Sequence, residues 1–312
     1  MKNFALAGAA GYIAERHMRA VRETGNRIVA ATDLFDVMGR MDSYFPEAEF
    51  FTDPGDFEAW LGQHRGTEEA VDYLSICTPN HEHSSYILTA LRHGADAICE
   101  KPLVLYPAEL DTVEKAERES GHRVYNILQL RLHPAIVALR EQIRQGGPEQ
   151  MYNIDLSYIT SRGKWYFQSW KADWSKSGSL ATNIGIHFFD MLQWIFGEVK
   201  QNTVHLYEHH RAAGYLELKQ GRVRWYLSLD YNDVPPSAKE KGLRTYRSIT
   251  VNGQEIEFSG GFTDLHTQAY QQILIGNGFG LSDARPCILL TDAIRNSKPA
   301  GLKGDYHPFL KH

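Results

Sequence analysis

The sequence predicts an α/β chain of two domains: residues 1–122 on a doubly wound parallel sheet, and residues 123–312 as an α+β domain on a mostly antiparallel sheet. Three observations predict it. Apolar segments alternate with helical periods through the first part of the chain, the pattern of βαβ units. A small-residue turn, Gly8-Ala9-Ala10-Gly11, directly follows the first apolar segment. Beyond about residue 150 the runs alternate polar and apolar instead, and the turn dipeptide Asn252-Gly253 lies between two of them.

Each element follows from its residues. Phe4-Ala5-Leu6-Ala7 makes 3–7 the first strand. Ile13, Met18 and Val21 share one face and predict a helix over 13–23. A second strand follows at 27–32, a short helix at 57–64 and a strand at 70–77. Next come a helix at 84–93, a strand at 97–99, a helix at 107–120 closed by Gly121, and a strand at 124–128. A parallel sheet of this kind is covered on both faces. In the second part, 151–160, 204–207, 213–218, 222–231 and 246–251 read as strands, and 132–144, 186–195, 265–275 and 286–296 as helices. Residues 233–241, with Pro235-Pro236 and several charges, are expected to form a mobile loop.

Composition bounds the function. At 312 residues, 43% hydrophobic and 23% charged, the chain is globular and can bury a large core. A net charge of −5 argues against a nucleic-acid partner. No apolar run reaches about 18 residues, so no membrane span is expected. Met1-Lys2-Asn3 leads straight into the first strand without a signal segment. The odd number of cysteines, Cys77, Cys99 and Cys287, has no CxxC spacing and reads as buried reduced thiols of a cytoplasmic protein.

The turn Gly8-x-x-Gly11-x-x-Ala14 departs from the commonest dinucleotide fingerprint by having Ala10 at the middle glycine. Small residues there let a backbone approach a phosphate at a helix N-terminus. Asp33 closes the second strand about twenty residues on, where an acid binds a ribose diol and repels a 2′-phosphate. NAD is therefore the expected cofactor of a Rossmann domain. Gly8, Gly11, Tyr12, Ile13 and Asp33 are placed on it, with Thr78 and Asn80 at the polar end of a later strand meeting the ribose or the nicotinamide. His81 and His83 have no third ligand at suitable spacing, so no metal is expected; helix capping and packing on the cofactor side are their expected roles. Gln129 adds a polar group at the domain junction and is placed with the cofactor.

Hydride transfer from a carbinol needs a base for the hydroxyl proton and a group that stabilises developing charge on oxygen. Lys101, in Glu100-Lys101-Pro102 at the end of an apolar strand, suits the second task and part of the first. Glu100 either holds the lysine or contacts the nicotinamide region. His187 is the preferred proton acceptor; Asn183, four residues earlier, shares its face, and Asp190 is placed to orient its ring. Ser161-Arg162-Gly163-Lys164-Trp165-Tyr166, followed by Trp170 and Lys171, interleaves cations with aromatics and suits an anionic, ring-bearing substrate. Arg131, in Gln129-Leu130-Arg131-Leu132-His133-Pro134, adds positive charge.

Together these residues resemble the Gfo/Idh/MocA family of sugar-type oxidoreductases over nearly the whole chain. The matching motifs are residues 8–14 with His17, Thr78-Pro79-Asn80 to His83, Glu100-Lys101-Pro102, and Gly185, His187 and Asp190. The resemblance implies an α+β domain with an open sheet that often forms the oligomer interface, with a homotetramer as the expectation. Many members have aspartate where this chain has Asn183; an amide is no carboxylate base, which shifts proton transfer to His187 and Lys101. Within the family the chain looks most like dehydrogenases of UDP-N-acetylglucosaminuronate. That likeness implies oxidation of the sugar 3-hydroxyl to a 3-keto product for an aminotransferase in surface polysaccharide (O-antigen) synthesis. Some of those enzymes re-oxidise NADH with 2-oxoglutarate. Substrate binding is then expected at Lys101, Arg131, Arg162, Trp165, Tyr166, Lys171, Asn183 and His187. The competing readings are a dehydrogenase of a free sugar or cyclitol, and a catalytically silent nucleotide-binding regulator.

Overall fold

The computed structural model describes residues 1–36, 38–256 and 264–311. The chain forms two compact units: Met1–Gln129 with Asp264–Arg285, and Leu130–Thr263 with Pro286–His312. The first unit thus runs past the expected break at residue 122, and it takes back a stretch that follows the second unit's sheet. Tyr125 and Asn126 belong to its last strand, and the Asn126 N–H donates to the Phe279 carbonyl at 2.8 Å, which ties the returning stretch to that edge.

The first unit is a six-stranded parallel sheet of β1 (Asn3–Ala7), β2 (Arg27–Thr32), β3 (Glu49–Phe51), β4 (Tyr73–Ile76), β5 (Asp96–Cys99) and β6 (Val124–Asn126), in the order β3-β2-β1-β4-β5-β6. The order reverses between β1 and β4, and ligands of open α/β sheets bind outside the carboxyl ends of the strands at such a switch point. Helices α1 (Ala14–Glu23), α2 (Met38–Tyr44), α3 (Pro54–His64), α4 (His83–Arg92) and α5 (Pro107–Ser120) connect the strands. β1 is buried at every position, which fits a central strand covered on both faces. Two short elements, α2 and β3, were not expected. α3 starts earlier than its apolar residues suggest: the Asp53 side chain accepts from the Gly55 and Asp56 N–H groups, and Pro54 occupies the first turn. The returning helix Leu265–Leu274 packs against α1.

The second unit has α6 (Pro134–Gln145), β7 (Tyr152–Thr160), α7 (Lys164–Gln168), α8 (Trp174–Ser177) and α9 (Ile186–Phe196), then β8 (Val199–Tyr207), β9 (Arg211–Leu218), β10 (Gly221–Ser228), α10 (Pro236–Lys239), β11 (Thr245–Val251) and β12 (Gln254–Glu255). The sheet order is β12-β11-β7-β10-β9-β8, and every pairing is antiparallel except β7 with β10. Asn252 (φ 52°) and Gly253 (φ 80°) form the two-residue hairpin turn between β11 and β12, both in the left-handed region that such a turn demands. Ile154 and Leu156 of β7 and Val223, Trp225 and Leu227 of β10 join α6 and α9 in one core. Ile159 and Tyr226 face the other way, against Val234, Ala238 and Phe309. This placement overturns the expected loop at 233–241. It holds a short helix, and Asp233 Oδ2 accepts from Tyr226 Oη at 2.9 Å and Ser228 Oγ at 2.6 Å. Among the described residues no helix is long and apolar enough to cross a membrane.

Candidate active site

In the first unit the glycine turn has the shape its composition implies. Gly8 has φ +83°, and a Cβ there would lie 2.6 Å from the Cys77 carbonyl carbon and the Thr78 nitrogen. Only glycine lets β1 and the end of β4 come this close. The turn is closed by Gly11 N–H to Gly8 O at 3.0 Å, and Arg40 Nη1 donates to the Gly11 carbonyl at 3.1 Å. α1 begins at Ala14 without a side-chain cap, which leaves its end open to an anion. Tyr12 is 87% exposed and Ile13 half-buried. Asp33 stands at the turn: Oδ2 accepts the Ala10 N–H at 2.8 Å and Oδ1 the Phe35 N–H at 3.1 Å.

Thr78, Asn80 and Gln129 lie in the same unit. Thr78 Oγ1 and Gln129 Oε1 are buried with no hydrogen-bond partner among the described residues. Each such group costs about 1–3 kcal/mol if left unpaired. The glycine cradle and these orphaned atoms fit a polar dinucleotide such as NAD.

Two residues expected on the cofactor side, His83 and Glu100, have partners within the protein. His83 is buried, with Nδ1 2.7 Å from the Pro102 carbonyl and Nε2 3.0 Å from that of Thr78. It braces two loops at the carboxyl edge of the sheet, and burial holds its pKa below the ordinary value against the pull of the two carbonyls. Glu100 is only 6% exposed. Its Oε1 accepts from His17 Nε2 at 3.0 Å and His266 Nε2 at 2.9 Å, and its Oε2 takes the Lys101 N–H at 3.2 Å. Burial alone would raise its pKa, yet the two imidazole donors outweigh it and hold the carboxyl well below the usual range. Glu100 therefore holds the lysine through its backbone. Lys101 is half-buried and joined to Pro102 by a cis bond. His266 and its helix neighbour Tyr270 escaped sequence reasoning. The available signal was polar side chains on the inward face of a helix whose Leu265, Ala269 and Ile273 are buried.

In the second unit Asn183 lies in a π-helical turn, Ala181–Gly185, that runs into α9, whose first turn carries His187. Such π turns recur at functional sites. Asn183 Nδ2 donates to Tyr166 Oη at 3.4 Å, and the Arg162 guanidinium lies 5.7 Å from the Tyr166 ring centre. Lys171 Nζ sits 5.4 Å from the Trp165 ring and 4.9 Å from that of Trp170. Burial, and beside it the charge of Arg162, hold the Lys171 ammonium below its usual pKa. The fold thus gathers Arg162, Trp165, Tyr166, Lys171 and Asn183.

Tyr166 is 3% exposed and is no open stacking face; that surface belongs to Trp165, at 59%. Arg131 has a partner within the protein. Its Nε lies 3.0 Å from Asp190 Oδ2 and its Nη2 2.7 Å from Oδ1, with both side chains buried. The pair is bidentate and structural. The residue expected at the substrate and the one expected behind His187 are thus each other's partners.

Comparison with known proteins settles the family. Residues 2–127 match the model described as the oxidoreductase family NAD-binding Rossmann fold, and residues 140–275 match the oxidoreductase family C-terminal alpha/beta domain. The chain belongs to the Gfo/Idh/MocA oxidoreductase family. Its first unit is the family's NAD-binding Rossmann domain. The WlbA (WbpB) dehydrogenase from Thermus thermophilus is 50% identical over 99% of this chain and 100% of its own. That enzyme has been solved with NAD and UDP-GlcNAcA (TM-score 0.95) and with NAD and alpha-ketoglutarate (TM-score 0.96). The WlbA dehydrogenase from Bordetella pertussis, at 19% identity over 97% of this chain and 98% of its own with a TM-score of 0.78, shares the fold. Among curated relatives, trans-1,2-dihydrobenzene-1,2-diol dehydrogenase of Mus musculus is 27% identical over 43% of this chain, and the match spans 39% of that protein's length.

Proposed function

We propose that this oxidoreductase oxidises the C3 hydroxyl of UDP-N-acetylglucosaminuronate to the 3-keto sugar nucleotide. What supports the reading is 50% identity, across 99% of the chain, to a dehydrogenase solved with NAD and that sugar nucleotide. The residues agree with it. The turn from Gly8 to Ile13 with Asp33, and Thr78, Asn80 and Gln129, would hold NAD. NAD supplies the acceptor for the hydride that leaves C3. His187 takes the hydroxyl proton, Lys101 polarises the hydroxyl oxygen, and the amide of Asn183 hydrogen-bonds without acting as a base. Arg162 and Lys171 answer the negative charges of the UDP-uronate, and the open face of Trp165 suits a ring. The protein works in the cytoplasm as a homotetramer, in surface polysaccharide synthesis, with 2-oxoglutarate re-oxidising NADH.

The test is absorbance at the reduced-nicotinamide band as NAD, UDP-N-acetylglucosaminuronate and 2-oxoglutarate are added in turn. NADH formed from the UDP-uronate and consumed on adding 2-oxoglutarate is the expected result. Reduction by free sugars or cyclitols alone would replace the substrate named here. Arg162→Ala is expected to weaken UDP-uronate binding by about 1.5–3 kcal/mol, the worth of a hydrogen bond to a charged group, while NAD affinity holds. Isothermal titration with each ligand separates the two, and an unchanged affinity for the UDP-uronate would remove Arg162 from the site.

A further inference from the structure

One polar cluster in the first unit lies outside the chemistry described above. His17, on α1, and His266, on the returning helix, both aim Nε2 at the same oxygen of Glu100, at 3.0 Å and 2.9 Å. Tyr270 Oη lies 2.7 Å from His17 Nδ1 and 2.6 Å from Ser75 Oγ. All five side chains are buried. His17, Ser75, His266 and Tyr270 lie on a helix or strand of this unit, and buried polar groups there must find partners.

The protons can be assigned by elimination. An ionised carboxylate only accepts, so each Nε2 carries the hydrogen. Burial outweighs Glu100 and keeps His17 below its usual pKa, so His17 is neutral and its Nδ1 accepts. Tyr270 Oη, a phenol that burial keeps protonated, is then the donor to His17 and takes the Ser75 hydroxyl as its own donor. The Glu100 carboxylate thus accepts from both rings through one oxygen. The backbone beside it is also pinned. Asn126 Nδ2 donates to the Glu100 carbonyl at 3.2 Å and to that of Cys99 at 2.9 Å. The Lys101 N–H donates to the other carboxylate oxygen.

We propose that His266 is a positioning residue: by donating Nε2–H to Glu100 it completes the buried clamp that sets the backbone from which Lys101 reaches the reacting hydroxyl. The proposal rests on the role given to Lys101 above. The donor atoms of His17, Glu100 and His266 lie within 4.8 Å of one another, the spacing of a metal-binding group. A metal would require both Nε2 atoms to be unprotonated, and the same measurement tells the two arrangements apart.

Two experiments test it. Nitrogen-15 NMR of the histidine-labelled wild-type protein should show a proton on Nε2 of both His17 and His266, and none on Nδ1 of His17. An unprotonated Nε2 on either ring overturns the clamp. In kinetics, His266→Leu should lower kcat about 10- to 100-fold, the cost of a small misplacement at the chemistry, with KM for the sugar nucleotide and NAD affinity little changed. His266→Gln, which restores an N–H donor at the same reach, should recover most of the loss. If His266→Gln is as slow as His266→Leu, or if both decline only in step with a lowered melting temperature, His266 merely fills space and the proposal fails. A wild-type protein silent toward UDP-N-acetylglucosaminuronate would instead strike down the substrate assignment, while the NMR result would still decide the clamp.

Discussion

Lys101→Ala and His187→Asn should each lower kcat by about 10²- to 10⁴-fold, the contribution of a well-placed proton-transfer group, and leave NAD binding intact. The expectation follows from the role proposed above for each residue at the hydroxyl. In the proposed reaction an alkoxide forming at C3 needs a cation or donor on its oxygen and a base for its proton; alanine in place of Lys101 supplies no cation and asparagine in place of His187 no base. Lys101 follows a carboxylate held by two imidazoles, so its backbone is fixed before substrate arrives. His187 stands half-buried in the first turn of α9. Asn183, an amide, brings no charge to share the task. Because the groups act on transition-state charge, kcat and kcat/KM should fall together. The double variant should be little worse than either single one, since groups acting as a unit are not additive. Steady-state kinetics of the purified variants, with NAD titrated separately, gives both answers; near-normal turnover in either single variant would move the chemistry elsewhere.

Asp190→Ala should cost about 3–5 kcal/mol of folding stability, the penalty for leaving a buried guanidinium without its counter-charge. The pair is deep, with the Arg131 and Asp190 side chains 7% and 4% exposed, and both carboxylate oxygens are engaged. Arg131→Ala should be comparably damaging for the mirror-image reason. The combination Arg131→Met with Asp190→Leu should recover much of the loss, because apolar side chains of similar volume carry no desolvation penalty. Thermal and denaturant unfolding of the three variants measures the cycle. If Asp190→Ala unfolds within about 1 kcal/mol of the wild type, the pair is not the brace described here, and Arg131 becomes available again as a cation for substrate.

The contrast between these two predictions marks how far the residues alone could be read. Local signals carried well: 107–120 is helical over that stretch because Pro107 sits in its first turn and Gly121 takes φ +73° at its end. β1 and β2 coincide with their apolar runs. β3 is three residues of mixed polarity, too short for a period to show. Residues 233–241 read as a loop by their prolines and charges, yet the charge of Asp233 is consumed by two hydroxyls of the sheet. At the site, the glycine turn and Asp33 were legible as a local pattern, and the Asp33 carboxylate does accept the Ala10 N–H of that turn. The pairing of Arg131 was not legible because its partner lies 59 residues away. The imidazole that His266 brings to Glu100 could not be seen because it lies 166 residues away. Tyr166 shows a further limit: an aromatic among cations looks like a stacking platform until burial is known.

The discontinuity of the first unit has a consequence for biosynthesis. A nascent chain that has emerged only to residue 263 already contains all six parallel strands and the glycine turn. It lacks His266 and Tyr270, so Glu100 has a single imidazole donor and His17 has no phenol. The Phe279 carbonyl that accepts from β6 is also missing. The Rossmann half therefore cannot complete its own interior vectorially, ahead of the domain that interrupts it. Its last interior hydrogen bonds form only after the whole second sheet has been synthesised, which makes the lysine's setting one of the final features the chain acquires.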